Sequence, residues 1–144
     1  MITVDEALDH LFSLVSPLDT ETVPLAEASG RVLAQDALAT RDQPPFAASA
    51  MDGYAMCAAA VRPGAEFTVI GESAAGHGFD GALGQGEALR IFTGAPLPEG
   101  ADRVVMQEDV TRNGDRITIA ETLGTGHHVR AAGADFKTGD RVPA

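Results

Sequence analysis

Val4, Leu8, Leu11, Phe12 and Val15 recur at helical spacing near the start of the chain, with polar residues filling most of the positions between them. Thr3-Val4-Asp5-Glu6 has the T-x-x-E form of a capping box, in which side chain and backbone satisfy each other's donors at a helix start. The pattern predicts a helix over residues 3–15, ended by Ser16-Pro17 because the residue before a proline is pushed out of helical geometry. A helix with one apolar stripe must lie against another surface. Beyond it, residues 22–25 read as extended and residues 26–29 as one helical turn closed by Gly30. Residues 31–40 alternate in strand fashion through Val32, Ala34 and Leu38.

After residue 40 the texture changes to short apolar runs bounded by glycine: 67–70, 88–92, 103–106 and 116–119. Each is of strand length and most are rich in β-branched residues. Asn113-Gly114 is a two-residue hairpin signal that would join the last two runs. The expected fold is therefore mostly β (α+β), a glycine-rich mixed β-sheet domain with an N-terminal helical extension. The helix and linker occupy residues 1–24 and the β-rich body residues 25–144.

Composition sharpens this picture. The chain has 144 residues, close to the usual size of one domain, and its 16 glycines and 8 prolines call for many turns. A net charge of -11 repels polyanions, so nucleic acid and anionic membrane are poor partners. Lys137 is the single lysine, and the remaining cations are arginines, suited to planar capture of phosphate or carboxylate. One cysteine, Cys57, allows neither an internal disulfide nor a cysteine zinc cluster, and its alanine-rich surroundings predict a small buried hydrophobe. With no long apolar run, the chain is expected to be cytoplasmic.

Two loops carry candidate chemistry. In residues 44–55, Pro44 and Pro45 stiffen the approach to Asp52-Gly53, which reads either as a hairpin turn with positive φ or as a carboxylate held in one place. In residues 92–102, Thr93 offers a hydroxyl to a phosphate or oxyanion, and Gly94 lets a ligand or backbone approach closely. The alternative for this loop is a proline-stiffened connection. The Walker phosphate loop is absent, and the spacing of Gly76, Gly78 and Gly81 lacks the strand-to-helix context of a dinucleotide site. Glu108 ends one apolar run and Asp135 sits in a glycine-flanked turn. Carboxylates gathered around a small space would suit Mg2+.

The two loops, Ser49-Ala50-Met51-Asp52-Gly53-Tyr54-Ala55 and residues 93–102 followed by Val104-Val105-Met106-Gln107-Glu108, resemble the signature blocks of the MoeA/gephyrin family of molybdopterin molybdenumtransferases. Lesser blocks at 6–8, 28–34, 71–76, 129–130 and 133–135 fall in the family's order. The resemblance covers nearly the whole chain. It implies insertion of molybdenum from molybdate into adenylyl-molybdopterin, with release of AMP and with Mg2+ or a similar divalent ion. It also implies a homodimer with composite sites, of which this chain would be the N-terminal part, inactive alone and a monomer or weak dimer. Carried over residue by residue, it makes Asp52 and Asp135 catalytic and metal-binding. Ser49, Gly53, Thr93, Gly94, Pro96 and Glu108 become substrate-binding. Ala134 stands where the family has a glutamate, which removes one acidic side chain beside Asp135. The competing reading is a non-catalytic binding or scaffold module of the same ancestry.

Overall fold

The computed structural model describes residues 2–144, which divide into two compact units: residues up to Ala37 with Val142–Ala144, and Leu38–Arg141. In the first, α1 spans Val4–Ser13. Thr3 and Glu6 form the full capping box, the Thr3 hydroxyl accepting from Glu6 N–H and the Glu6 carboxylate accepting from Thr3 N–H at 2.8 Å. The helix stops short of the expected residue 15. Ser13 Oγ donates to the His10 carbonyl at 2.7 Å, and Leu14 and Val15 are 79% and 70% exposed, so no burial rewards another turn. No residue of α1 is buried. The strand expected over residues 31–40 reduces to β1, Ala37–Leu38, because neither face of its alternation is covered; Val32 is 90% exposed.

The second unit is built on a six-stranded sheet. Its strands are β3 (Gly53–Met56), β4 (Glu66–Ser73), β5 (Glu87–Ile91), β6 (Arg103–Met106), β7 (Val110–Asn113) and β8 (Arg116–Ile119), ordered β6-β3-β5-β4-β8-β7. All neighbours are antiparallel except β4 and β5. That parallel pair needs a crossover, supplied by residues 74–86 without a helix. β2 (Ala48–Ser49) pairs with β9 (Val129–Arg130), and β10 (Arg141–Val142) ends the chain's strands.

Both faces of the sheet are covered. Tyr54, Met56, Phe67, Ala88, Val105, Ile117 and Ile119 form one apolar cluster, and Ala55, Leu89, Ile91, Ala95 and Val104 the other. Successive residues of β3, β5 and β6 thus serve opposite faces, and every residue of β3 is buried. A strand buried on both sides has no polar alternation, which is why β3 is not legible as a strand. The hairpin also differs from expectation. Asn113 pairs with Arg116, so Gly114-Asp115 form the turn and the strand before it is β7 rather than the 103–106 run. Cys57 follows β3 on the surface and is exposed, not buried as its alanine neighbours suggest.

Candidate functional site

The rim of the sheet where β3 begins and β5 ends holds most of the expected residues. Ser49 is buried; its N–H donates to the Ala95 carbonyl and its own carbonyl accepts from Gly94 N–H, both at 2.9 Å. Its hydroxyl donates to the Met51 carbonyl at 2.6 Å. Ser49 therefore shapes the turn into Asp52 with a hydroxyl that is already engaged. Gly53 follows as the first residue of β3, and its φ is not in the left-handed region, so the positive-φ hairpin reading fails. Glycine is required there for close approach: a Cβ would lie 2.0 Å from the Val105 carbonyl oxygen. Gly94 is the converse case, with φ +83° and open space around a notional Cβ, so conformation rather than crowding demands it.

Asp52 and Thr93, 41 residues apart, meet. Asp52 Oδ1 accepts from the Thr93 N–H and from the Thr93 hydroxyl, each at 2.8 Å. These two bonds, backbone first and hydroxyl second, hold the Asp52 carboxyl below its ordinary value against partial desolvation, with the Arg90 charge acting in the same direction. The Thr93 hydroxyl thus gives its proton to Asp52.

Two residues that sequence reasoning passed over complete this rim. Arg90 on β5 stands opposite Tyr54 on β3 and packs its guanidinium on the Tyr54 and Phe92 rings, 5.2 and 4.6 Å from their centroids. Its Nη1 donates to the Gly53 carbonyl at 3.0 Å and its Nη2 to Gln107 Oε1 at 2.7 Å. Gln107 N–H donates to the Asp52 carbonyl at 3.1 Å, and Gln107 Nε2 donates to Glu108 at 3.1 Å. An arginine inside the apolar run 88–92 is the signal that could have pointed there.

A cleft of about 420 Å³ lies beside this rim, lined by residues 43–46, Ala48, Ser49, Ala50, Thr93, Gly94 and Arg130. Asp135 reaches it through an ion pair with Arg130. Its loop is fixed by backbone bonds from Gly133 N–H to the Pro44 carbonyl and from Asp135 N–H to the Gln43 carbonyl, each 2.8 Å. The same loop is clamped at its far end, where Asp42 Oδ1 accepts from the Thr138 N–H at 2.8 Å and hydroxyl at 3.0 Å. The Pro96 carbonyl accepts from Ser73 Oγ at 3.0 Å. Asp52, Asp135, Pro96, Glu108 and the buried Gly53 do not line the cleft themselves; Asp52 joins it through Thr93 and Asp135 through Arg130. A second cleft, beside Cys57 and Arg62, holds none of the expected residues.

One oxygen of Asp52 belongs to Thr93 and one of Asp135 to Arg130. Among the described residues no group of three or more His, Cys, Asp or Glu side chains could hold a metal ion. Nor, among them, is any helix long and apolar enough to cross a membrane.

Comparison with known proteins agrees with this architecture. The sequence profile of the MoeA N-terminal region (domain I and II) matches residues 2–144, and the chain belongs to that family. It is 40% identical over 144 residues to the molybdopterin molybdenumtransferase of Haemophilus influenzae, covering 99% of this chain and 36% of that protein. The enzyme of the same name from Nostoc is 38% identical over 152 residues, again with 99% of this chain and 35% of the relative covered. The crystal structure of the molybdopterin biosynthesis MoeA protein from Pyrococcus horikoshii superposes with a TM-score of 0.83 at 40% identity, over 96% of this chain and 38% of that one. The chain thus spans little more than a third of the length of these relatives.

Proposed function

We propose that this chain supplies the β-rich wall of a molybdopterin molybdenumtransferase site, at which molybdenum from molybdate enters adenylyl-molybdopterin and AMP is released. The observation that carries the reading is the Asp52–Thr93 pair at the edge of a cleft that also holds Arg130. An ionised carboxylate in a fixed orientation can accept from water or from a substrate N–H or O–H beside a reacting centre without reorganising. Arg130 provides the local cation that an anionic substrate needs on a chain of net charge -11. Thr93 acts by holding Asp52, and Ser49 by shaping the turn before it. Asp135 sets the position of Arg130 through their ion pair.

Mg2+ belongs to the reaction in this reading, but among the described residues the carboxylates of this chain do not form its site by themselves. The whole protein is read as a cytoplasmic homodimer with a composite site, and the 144-residue chain as a monomer or weak dimer. The exposed apolar stripe of α1, with Leu11 and Phe12 60% and 69% exposed, supports a further partner surface.

The test is molybdenum insertion by the Haemophilus influenzae relative carrying this chain in place of its corresponding region. Asp52→Asn is expected to abolish most AMP release while the chimera stays folded. Unchanged release would remove Asp52 from the site.

A further inference from the structure

We propose that Arg90 is a positioning residue for Asp52: its guanidinium bridges the Gly53 carbonyl and the Gln107 side chain and so fixes the two peptide units that follow the Asp52 side chain. The inference rests on the reading of Asp52 as a site residue only for its functional meaning; the geometry stands by itself. Four groups close a ring. Asp52 offers its carbonyl to Gln107 N–H, Gln107 offers Oε1 to Arg90 Nη2, and Arg90 Nη1 returns to the carbonyl of Gly53, the next residue after Asp52. An arginine is needed for this because only a planar fork can hold two acceptors at fixed separation while stacking on rings. Tyr54 and Phe92 supply those rings, and Tyr54 is itself buried.

Nothing in the fold requires a guanidinium at this position on β5. The neighbouring residues Leu89 and Ile91 are fully buried and fill the opposite face, so the sheet core does not depend on the charge. What it ties down is the backbone from the Asp52 carbonyl to the Gly53 carbonyl. The charged groups around the ring are Asp52 on the turn, Glu108 beside Gln107 on the segment after β6, and Glu72 on β4, the strand partner of Arg90. Of the three, Asp52 is the one bonded directly to a loop of the cleft, through Thr93.

The experiment reads the Asp52–Thr93 clamp by NMR in the 144-residue chain at one fixed neutral pH, through the downfield displacement and the solvent-exchange protection of the Thr93 amide that donates to Asp52. Arg90→Lys retains the charge and cannot span both acceptors; Gln107→Ala retains Arg90 and opens the ring at an exposed residue. In both variants the Thr93 amide is expected to lose part of its downfield displacement and to exchange several-fold faster, with the larger change in Arg90→Lys. A merely structural Arg90 would lower thermal stability and leave both readouts in place. That result, in a variant whose β5 amide spectrum is otherwise unchanged, overturns the proposal. If Arg90→Lys unfolds the chain, Gln107→Ala decides alone by the same readouts. If the readouts move but Asp52→Asn leaves AMP release unchanged in the chimera, the positioning role stands and the functional reading of Asp52 falls.

Discussion

Asp52 and Asp42 are held by the same device in two different settings. Each presents Oδ1 to the N–H and hydroxyl of a single threonine, Thr93 for Asp52 and Thr138 for Asp42, and in each the two bonds lower the carboxyl's affinity for its proton. Asp52 stands at the rim of the six-stranded sheet, above a glycine that touches the Val105 carbonyl, and beside an arginine ring. Asp42 ties down an exposed loop at a distance of 96 residues, with Lys137 as its nearby cation. Identical local chemistry therefore does two jobs: one clamp fixes a carboxylate at the cleft edge, the other fixes the loop that carries Asp135. The setting, not the hydrogen bonds, separates a site residue from a fastening.

The largest effect that separates them is expected from the glycines beneath. In Gly53→Ala the new methyl meets the Val105 backbone, which cannot swing aside, and the loss of stability should reach about 3 kcal/mol. Gly133→Ala, under the Asp42 clamp, meets the flexible Lys137 side chain at 2.7 Å and a φ of +67°, for a loss of about 1–2 kcal/mol. Urea unfolding midpoints of the two variants check the order; equal losses would erase the distinction between rim and loop.

Acid dependence gives the next contrast. Both carboxyls titrate lower folded than unfolded, so the stability they lend is complete above the ordinary aspartate value and fades as pH falls through the folded one. Asp52→Asn and Asp42→Asn should each flatten the fall of stability between neutral pH and that range. Thr93→Val should raise the Asp52 midpoint and leave Asp42 alone, and Thr138→Val the reverse, as carboxyl NMR would report. A shift of both by either variant would mean that the clamps are coupled. The smallest effect belongs to Arg130→Ala: a half-exposed ion pair with Asp135 is worth at most about 1 kcal/mol, so thermal unfolding should barely move.

Much of the fold could be read along the chain, and the reasons for the rest are physical. The capping box of Thr3 and Glu6 and the strands β4, β5, β6 and β8 announce themselves through local pattern. β3 does not, because burial on both faces leaves Gly53-Tyr54-Ala55-Met56 without alternation. At the site, Asp52 and Thr93 were visible as types, but their contact spans 41 residues and lies beyond any local signal. The partner of the Thr93 hydroxyl is set by that same long-range contact, whereas the Ser49 hydroxyl bonds locally to the Met51 carbonyl. Asp42, Thr138 and Gln107 are ordinary surface types until the fold brings each to its partner, whereas Arg90 stands out inside its apolar run.

The measurement that bears most directly on the account compares the two clamps in function. In the chimera with the Haemophilus influenzae relative, AMP release during molybdenum insertion would be followed for Asp52→Asn and Asp42→Asn side by side. The account predicts a fall of about a hundredfold for Asp52→Asn, the scale of a misplaced reacting group, with Asp42→Asn staying near the parent rate. Equal rates for the two variants would contradict it.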